Sequence, residues 1–375
     1  MNKENQMFWT NHLVTLHLAK AKSLPIEDKS VHTVVTSPPY WGLRDYGTAT
    51  WEGGDEECDH TVSHWSDNLK PHVDRPFRGD RSSCLKCGAK RIDLQIGLET
   101  TPEEYCASMV AVFREVRRVL RDDGTVWLNL GDSYSSGSRT TTTNDSFRGD
   151  TLVNTTRTPV VKGIKPKDLV GIPWRVAFAL QEDGWYLRSD IIWSKPNPMP
   201  ESVTDRPTKA HEYVFLLTKQ AKYYYDADAI RETNGKESSW DNYGGKGFIN
   251  HPTGDARHQV DLAEGMSQRM VKPNTTHPNG RNKRSVWEIS TQPYAEAHFA
   301  TYPEKLVEPC ILAGCPAGGT VLDPFVGSGT TLAVAQRLGR KGVGTDINDE
   351  YLKLAKQRLE KIALPMNMSR YSELS

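Results

Sequence analysis

The apolar residues in the first half of the chain predict alternating strands and helices. Residues 34–36 read Val-Val-Thr, which is typical of the end of a buried strand, because β-branched side chains fit an enclosed pleated surface. A capping box begins at Thr101, with proline at the first helical position, and apolar residues then recur at helical spacing up to Asp123. A strand is predicted directly afterwards, at residues 125–130.

The second half of the chain continues the alternation. Helices are predicted at residues 167–182 and 303–313, and strands at 186–193 and 212–218. This order predicts a layered α/β sheet. Two polar stretches interrupt the pattern: residues 133–158 are predicted to form a mobile loop, and residues 223–290 a loop-rich module inserted between two parts of one sheet.

The residues that follow the first strand are the first candidate for chemistry. They read Ser37-Pro38-Pro39-Tyr40-Trp41. Neither proline has an N–H to donate and each fixes φ, so the backbone is stiff and its carbonyls face no competing local donors. A hydroxyl, bare carbonyls and two aromatic rings at a strand end are typical of a site, although an ordinary Pro-Pro turn accounts for the same residues.

A glycine-containing segment near the C-terminus predicts a cofactor site. A buried strand ends at Asp323, a turn with Gly327 and Gly329 follows, and the next predicted helix directs its free N–H groups at that turn. The strand after this helix ends in Asp346, where an acid can accept both ribose hydroxyls of a nucleoside. The segment lacks the spacing G-x-G-x-x-G, so NAD and FAD are not the first choice. A nucleoside cofactor is therefore predicted.

Three of the six cysteines predict a metal site. Cys58 and His60 form a C-x-H pair, and Cys84 and Cys87 form a C-x-x-C followed by glycine, the usual form of a zinc knuckle. These four residues are predicted to bind a structural zinc ion, with His64 as the substitute for His60. A redox C-x-x-C and free thiols in a loop are the alternatives. The other cysteines are predicted to be buried thiols in a reducing compartment: Cys106, Cys310 and Cys315.

Composition and net charge exclude few classes of partner. The 375 residues include 47 Lys and Arg and 47 Asp and Glu, so the formal net charge is zero. No apolar run approaches the length of a membrane span, and residues 1–10 lack the apolar region of a signal peptide, which predicts cytoplasmic localisation and no membrane partner. One basic run without acids suits phosphate contacts, although a solvated loop has the same composition. It contains Arg269, Lys272, Arg281, Lys283 and Arg284.

Together, the two candidate segments resemble a known family. The sequence D-P-F-V-G-S-G-T-T, from Asp323 to Thr331, resembles the S-adenosylmethionine loop of amino-directed DNA methyltransferases. The sequence T-S-P-P-Y, from Thr36 to Tyr40, resembles their catalytic motif. The catalytic motif precedes the cofactor loop here, which is the circularly permuted order of the β group of these enzymes. The resemblance implies a Rossmann-like class I S-adenosylmethionine-dependent methyltransferase fold over most of the chain.

The predicted organisation divides the chain into five parts. Residues 1–57 and 91–222 form a catalytic half, 58–90 a zinc-binding insert, 223–292 a target-recognition module, 293–363 a cofactor-binding half and 364–375 a flexible tail. Family members often carry Gly-Asp before the catalytic strand, whereas this chain has Leu-Ala-Lys-Ala at 18–21. Cofactor binding is therefore expected to depend on Asp323, Asp346 and the glycine loop.

The resemblance also implies individual site residues. The catalytic residues are Ser37, Pro38, Pro39 and Tyr40, and the base pocket is lined by Trp41, Trp193, Lys195 and Asn197. The cofactor is bound by Asp323, Pro324, Phe325, Gly327, Ser328, Gly329, Thr330, Thr331, Asp346 and Ile347. The segment from His298 to Pro303, including Phe299 and Tyr302, is expected at its methionine end, and double-stranded DNA is the expected partner.

The implied chemistry is direct methyl transfer to the exocyclic amine of a flipped-out base. Such an amine is a poor nucleophile because its lone pair is delocalised into the ring. If the Ser37 hydroxyl and the Pro38 carbonyl each accept one N–H, the lone pair is freed to attack the sulfonium methyl. Serine at position 37 is the form associated with cytosine N4, and adenine N6 is the alternative.

Cytosine C5 methylation, glutamine-amide methylation and a non-catalytic role fit the sequence less well than methylation of an exocyclic amine. Methylation of cytosine C5 needs a cysteine nucleophile, and the Pro309-Cys310 pair lies inside a predicted helix. A glutamine-amide methyltransferase would carry its cofactor loop before its catalytic motif, and a non-catalytic zinc DNA-binding protein would have a degraded loop. A cognate restriction endonuclease would suit such an enzyme as a partner, but one chain does not specify it.

Overall fold

A computed structural model of the chain shows a mixed α/β fold with one large sheet. The structure describes residues 5–42, 50–55, 57–60, 83–84, 86–135, 164–233, 280–292 and 302–362. The chain divides into two compact units, one with residues 1–225 and 285–375 and the other with residues 226–284. The predicted tail at 364–375 and most of the predicted loop at 133–158 lie outside the described residues.

The described strands belong to the first unit. They are β1 Gln6–Thr10, β2 Val14–Leu18, β3 Val31–Thr36, β4 Thr50–Glu52, β5 Lys90–Ile92, β6 Leu120–Leu130, β7 Tyr186–Ser194, β8 His211–Thr218, β9 Val286–Glu288, β10 Thr320–Asp323 and β11 Lys341–Asp346. Nine of them form a sheet in the order β1-β2-β11-β10-β3-β6-β8-β7-β9, and β4 and β5 form a separate antiparallel pair.

Strand direction decides which residues meet at one edge of the large sheet. The five neighbours from β2 to β6 are parallel, so β10, β3 and β6 all end at the same edge. Strand β8 is antiparallel to both β6 and β7, so its start lies where those two strands end. We call this the carboxyl edge. It collects residues from five consecutive elements of the sheet, namely the ends of β11, β10, β3 and β6 and the start of β8, with β7 ending beside them.

Helices cover both faces of the sheet. They are α1 Pro102–Val119, α2 Ile172–Glu182, α3 Glu304–Gly314, α4 Thr330–Arg337 and α5 Asp349–Glu360. Helices α1 and α2 bury their apolar sides with Val126 and Leu128 of β6. Alternate residues of a strand point to opposite faces, and Thr125 therefore meets α3 on the other side. A Cβ added to Gly314 would lie 2.4 Å from Thr125 Oγ1, so a larger residue would push α3 away from the sheet.

Helix α1 begins as predicted but ends earlier. Thr101 Oγ1 accepts from Glu104 N at 3.2 Å and Glu104 Oε2 accepts from Thr101 N at 3.3 Å, so the capping box is confirmed. The helix ends at Val119 rather than at Asp123, because Leu120 pairs with Val31 and begins β6. The predicted strand at 125–130 is therefore five residues longer at its start.

Helix α2 is shorter than the predicted helix at 167–182. It begins at Ile172, and Pro173 occupies its first turn, where the missing N–H does no harm. Asp132 Oδ1 accepts from Gly171 N and Ile172 N at 3.0 Å each and so caps this helix from the end of β6. The strands predicted at 186–193 and 212–218 and the helix at 303–313 are confirmed to within one residue at each end.

Two further expectations bear on the described residues. All six cysteines are free thiols, and Cys310 and Cys315 are buried while Cys106 is half-buried. Within the part of the chain that the structure describes, no helix combines the length and the apolar character that crossing a membrane requires.

The capping box gives a stability prediction. Replacing Thr101 by alanine removes the acceptor for Glu104 N, and we expect a loss of about 1 kcal/mol in the free energy of unfolding. Thr101→Ser keeps the acceptor and should remain close to wild type in urea denaturation. Equal losses for the two variants would show that the hydroxyl does not stabilise α1.

Candidate active site

The carboxyl edge brings the two candidate segments into contact. Strands β3 and β10 are parallel neighbours, with Val34 opposite Leu322, so the chain leaves both strands at the same edge. Thr36 Oγ1 donates to Asp323 Oδ1 at 2.7 Å, across 287 residues of sequence. Ser37 follows immediately and is partly exposed. The predicted catalytic and cofactor segments therefore share one site.

The Asp323 carboxylate is the centre of this contact. It is 1% exposed, and its Oδ1 also accepts from Phe325 N at 3.1 Å. Its Oδ2 accepts from Thr331 Oγ1 at 2.7 Å and from Tyr302 OH at 3.0 Å. Burial raises the pKa of Asp323, and the hydrogen bonds from Thr36, Thr331 and Phe325 oppose that rise. All of these partners belong to the protein, so Asp323 joins the two segments from within.

The glycine turn has the backbone conformation that its sequence predicts. Gly327 and Gly329 have φ values of 48° and 81°, in the region that side chains disfavour. A Cβ on Gly329 would also lie 3.1 Å from Ala355 Cβ. Helix α4 begins at the next residue, Thr330, with its N-terminus at the turn. Ser328 is buried, and its Oγ has no hydrogen-bond partner among the described residues.

Asp346 ends β11 beside this turn. Its Oδ2 accepts from Gly327 N at 3.0 Å and its Oδ1 from Asn348 N at 2.9 Å. Burial raises the pKa of Asp346 to about 6, against the effect of these backbone donors. Each carboxylate oxygen keeps a second lone pair, so the group can still accept hydroxyl donors from a ligand.

The remaining cofactor candidates support the turn. Pro324 presents its carbonyl to Thr345 Oγ1 at 2.9 Å, and Phe325 packs against the core. Pro303 is the N-cap residue of α3, and Ile347 is partly buried after Asp346. His298 and Phe299 lie outside the described residues.

Four polar side chains form a network at the catalytic segment. Tyr40 OH donates to Glu212 Oε2 at 2.6 Å, and Asn129 Nδ2 donates to the same oxygen at 3.2 Å. Asn129 Nδ2 also donates to the Tyr213 carbonyl at 3.1 Å, so Asn129 Oδ1 is the acceptor that faces the site. Ser37 Oγ donates to Asn129 Oδ1 at 3.3 Å. The Ser37 oxygen therefore keeps its lone pairs for a second partner.

Tyr40 and Pro39 are held by the surrounding backbone. A Cβ on Gly131 would lie 2.5 Å from Tyr40 Cε2, so glycine is required where the ring crosses the end of β6. Burial and the neighbouring Glu212 raise the pKa of Tyr40 well above its ordinary value, so the phenol stays a donor. The Pro39 carbonyl accepts from Tyr105 OH at 3.0 Å. The prediction that this carbonyl is bare is therefore wrong.

The predicted base-pocket residues are distributed differently from the prediction. Trp41 is 1% exposed and its Nε1 donates to the Glu99 carbonyl at 2.8 Å, so it is a core residue and does not form a wall of an open pocket. Trp193 is also buried, below Lys195, whose Nζ lies 4.3 Å from the ring centroid. Lys195 forms an ion pair with Glu212. Asn197 Oδ1 accepts from Thr291 N at 3.0 Å.

The predicted metal ligands converge beside the β4–β5 pair. Ligand atoms of Cys58, His60, Cys84 and Cys87 all lie within 4.8 Å of one another. Cys58 Sγ and Cys84 Sγ are 3.8 Å apart, and Cys87 Sγ and His60 Nδ1 are 3.4 Å apart. A tetrahedral zinc ion with ordinary bond lengths separates two sulfurs by about 3.8 Å and a sulfur from a nitrogen by about 3.5 Å. The Cys58–Cys84 and Cys87–His60 distances match this spacing.

Backbone geometry keeps this cluster together. Lys86 N donates to Cys84 Sγ and His60 N to Cys58 Sγ, each at 3.4 Å. A Cβ on Gly54 would lie 2.8 Å from Cys87 Sγ, so glycine leaves room for the thiol. The His60 ring stacks on Trp51 with centroids 4.9 Å apart. His64, the substitute ligand, lies outside the described residues.

The basic run is less free than its sequence suggests. Arg281 and Arg284 each approach Glu232 Oε2 at 3.1 Å, within the second unit. A Cβ on Gly280 would lie 2.2 Å from the Glu232 carbonyl oxygen, which explains glycine there. Two of the five cations are thus balanced by an acid that is distant in sequence. Arg269 and Lys272 lie outside the described residues.

Two residues of the site, Asn129 and Glu212, belong to no sequence motif, whereas Tyr302 falls within the segment 298–303 that the resemblance places at the methionine end of the cofactor. Asn129 and Glu212 lie within ordinary apolar strands, and only strand order brings them to Ser37. Tyr302 precedes α3 and reaches Asp323 and Thr331. The signal that existed was a polar residue near one end of a predicted apolar strand: Asn129 lies near the carboxyl end of its strand and Glu212 at the amino end of its strand.

Asp346 gives a pH prediction. Its pKa is raised to about 6, so ionisation costs more in the folded state than in the unfolded chain, and the folded protein loses stability as pH rises through this window. Between pH 4 and pH 7, the free energy of unfolding of wild type should fall by about 2 to 3 kcal/mol relative to that of Asp346→Asn. Urea unfolding at both pH values measures the difference. Asp349→Asn, which changes an exposed acid at the start of α5, is the control and should show the pH dependence of wild type. The same pH dependence in Asp346→Asn and wild type would show that Asp346 is not its source.

Comparison with known proteins identifies the family. A family model described as DNA methylase (N6_N4_Mtase) matches residues 31–357. Type II methyltransferase M.Cfr9I of Citrobacter freundii is 42% identical over 336 residues, covering 88% of this chain and 82% of the relative. Type II methyltransferase M.SmaI of Serratia marcescens is 43% identical over 326 residues, covering 87% and 83%.

A solved structure agrees with the fold. The PvuII DNA methyltransferase (cytosine-N4-specific) aligns with a TM-score of 0.54 and 17% identity, over 97% of this chain and 90% of that chain. The resemblance to amino-directed DNA methyltransferases that the two motifs predict is confirmed by the family match. This chain belongs to the N6_N4_Mtase family of DNA methylases.

Proposed function

We propose that the protein transfers a methyl group from S-adenosylmethionine to the exocyclic N4 of cytosine in a flipped-out DNA base. The observation that carries this proposal is the Ser37 hydroxyl, which donates its proton to Asn129 Oδ1 and keeps its lone pairs for an incoming amine. The hydroxyl lies at the carboxyl edge, one residue from the Thr36–Asp323 contact with the cofactor loop. An acceptor beside a nucleoside site is what amine methylation requires.

The residues of the glycine turn fit S-adenosylmethionine. Gly327 and Gly329 allow the backbone to approach a ligand closely, and the N-terminus of α4 follows. Asp346 would accept the ribose hydroxyls, and the unpartnered Ser328 Oγ is a further polar group in this turn. When bound, the cofactor supplies an electrophilic methyl group on a sulfonium.

The chain's own residues prepare the amine. Ser37 Oγ and the Pro38 carbonyl would each accept one N–H of the target amine, which frees the nitrogen lone pair to attack the methyl carbon in line as its bond to sulfur breaks. The sulfur would keep that electron pair as a neutral thioether, and the methylated nitrogen would lose one proton to solvent. Tyr40, fixed by Glu212 and Gly131, would offer a ring on which the base stacks. No protein nucleophile takes part, and Cys310, which a C5 mechanism would need, is buried in α3 with its thiol donating to the Leu306 carbonyl.

The choice of base rests on Ser37. Serine at this position is the form that the resemblance associates with cytosine N4. Adenine N6 is the second candidate, because either exocyclic amine satisfies the same pair of acceptors. The circular permutation and the target-recognition role of residues 223–292 belong to the same proposal.

The rest of the proposal concerns partners. Arg281, Lys283 and Arg284, together with Arg269 and Lys272, would contact DNA phosphates, with Glu232 exchanged for phosphate at Arg281 and Arg284. The name Type II methyltransferase, given to the relatives from Citrobacter freundii and Serratia marcescens, supports a cognate restriction endonuclease as a functional partner.

Ser37→Ala tests the proposed chemistry. Loss of one acceptor should reduce transfer of labelled methyl to unmodified DNA by about 10²-fold or more, with cofactor affinity unchanged. Ser30→Ala, whose hydroxyl bonds to the Glu27 carbonyl outside the site, is the matched control. Digestion of the wild-type product should yield N4-methylcytosine.

Two outcomes would count against this reading. Recovery of N6-methyladenine would replace the base assignment, and equal label transfer by Ser37→Ala and wild type would remove Ser37 from the mechanism.

We also propose that Cys58, His60, Cys84 and Cys87 bind one structural zinc ion. The spacing of their ligand atoms supports this, together with the backbone N–H groups that donate to Cys58 and Cys84. A redox pair is disfavoured, because the cysteines are arranged as a group of three with a histidine.

Metal analysis of protein purified without chelator tests the zinc proposal. About one zinc per chain is expected for wild type, and much less for Cys84→Ser and Cys87→Ser. Cys106→Ser, a half-buried thiol of α1 outside the cluster, should keep the full amount. Wild-type protein without bound metal would refute the site.

A further inference from the structure

Glu212 is a partly buried acid that belongs to no sequence motif. It lies at the start of β8, at the carboxyl edge, and its side chain is 14% exposed. An ionised carboxylate at such a place is costly unless donors surround it. Each partner of this one is a donor, and two of them belong to the proposed active site.

The carboxylate joins three neighbouring elements. Its Oε2 accepts from Tyr40 OH at 2.6 Å, after β3, and from Asn129 Nδ2 at 3.2 Å, in β6. Its Oε1 accepts from Lys195 Nζ, after β7. Lys195 thereby balances the charge of Glu212 and leaves Oε2 to Tyr40 and Asn129.

The contact with Asn129 reaches Ser37. The amide of Asn129 has one correct orientation, with Nδ2 toward Glu212 and the Tyr213 carbonyl, and Oδ1 toward Ser37. If Glu212 did not accept from Nδ2, only the Tyr213 carbonyl would hold the amide in this orientation, and an amide that turned would present a donor to the Ser37 hydroxyl. Ser37 would have to accept that hydrogen bond with the lone pair that the target amine needs.

The contact with Tyr40 fixes the ring. The phenol is fixed at its hydroxyl by Glu212 and at its edge by the absence of a side chain on Gly131. A tyrosine held at both points presents one ring position to a stacking base, which is the geometry that methyl transfer requires.

We propose that Glu212 is a positioning residue, which orients both the Ser37 acceptor, through Asn129, and the Tyr40 ring. The inference rests on the proposed methyl transfer and deepens it. A purely structural ion pair between β7 and β8 is the competing account, and it assigns no special relation between Glu212 and Ser37.

Glu212→Gln distinguishes the two accounts. An amide keeps the size of the side chain but turns one acceptor into a donor, which must face Lys195 on one side or Asn129 and Tyr40 on the other. We expect kcat to fall by about 10²-fold with cofactor affinity within a factor of about 2 of wild type. Glu201→Gln is the matched control, because Glu201 pairs with Arg206 at 2.7 Å and contacts none of the network residues.

A double variant tests the route through Ser37. If Glu212 orients the Ser37 acceptor, Glu212→Gln should reduce kcat less in a Ser37→Ala background than in wild type, because only the effect through Tyr40 then remains. If the ion pair is only structural, the fold losses in kcat of the two single variants should multiply in the double variant. Multiplicative losses, or a kcat of Glu212→Gln equal to wild type, would overturn the inference.

Tyr40→Phe provides a second measurement should Glu212→Gln fail to fold. It removes only the hydroxyl that Glu212 accepts and keeps the stacking ring, and we expect kcat to fall about 10-fold. An unchanged kcat would overturn the Tyr40 part of the inference. Failure of the proposed function would be separate, since wild type would then transfer no label to unmodified DNA.

Discussion

The buried carboxylate of Asp323 is the interaction on which the site depends. A charged group with 1% exposure requires donors on every side, and the chain supplies Thr36, Thr331, Tyr302 and the N–H of Phe325. Those donors come from the end of β3, the start of α4, the segment that precedes the N-cap of α3 and the cofactor turn. To satisfy one desolvated acid, the fold must bring together both halves of the proposed reaction. The same contact keeps Ser37 at a fixed distance from the glycine turn.

Strand direction extends this site across the sheet. Because β8 runs opposite to β6 and β7, its first residues meet their last, and Glu212 lies beside Asn129 and Lys195. A fully parallel order would have placed Glu212 at the far edge. Antiparallel addition of β8 therefore supplies the acid that orders the catalytic segment, while the parallel strands supply the turn that suits a nucleoside.

The sequence predicted the segments of the site well and their partners poorly. Motifs such as the glycine turn and the Ser-Pro-Pro-Tyr segment are local, and so is the capping box of Thr101, since each needs only neighbours in sequence. Asn129 and Glu212 are functional only because β6 and β8 pair, which depends on non-local packing. The prediction that Trp41 lines the pocket is wrong for a related reason. Its position next to the catalytic motif in sequence does not indicate that its side chain packs in the core. The cations at 281 and 284 met an acid, Glu232, that proximity in sequence did not indicate.

The location of the proposed metal-binding insert follows from how the chain before it and the chain after it meet. Gly42 N donates to the Gly97 carbonyl at 2.8 Å, and Trp41 Nε1 donates to the Glu99 carbonyl at the same distance. A Cβ on Gly97 would lie 3.0 Å from the Tyr40 carbonyl oxygen, so the returning chain packs directly behind the catalytic segment. Because these two segments already lie together, a long insertion between them costs little further loop-closure entropy. The segment that follows the insert supports Tyr40 and Trp41 from behind.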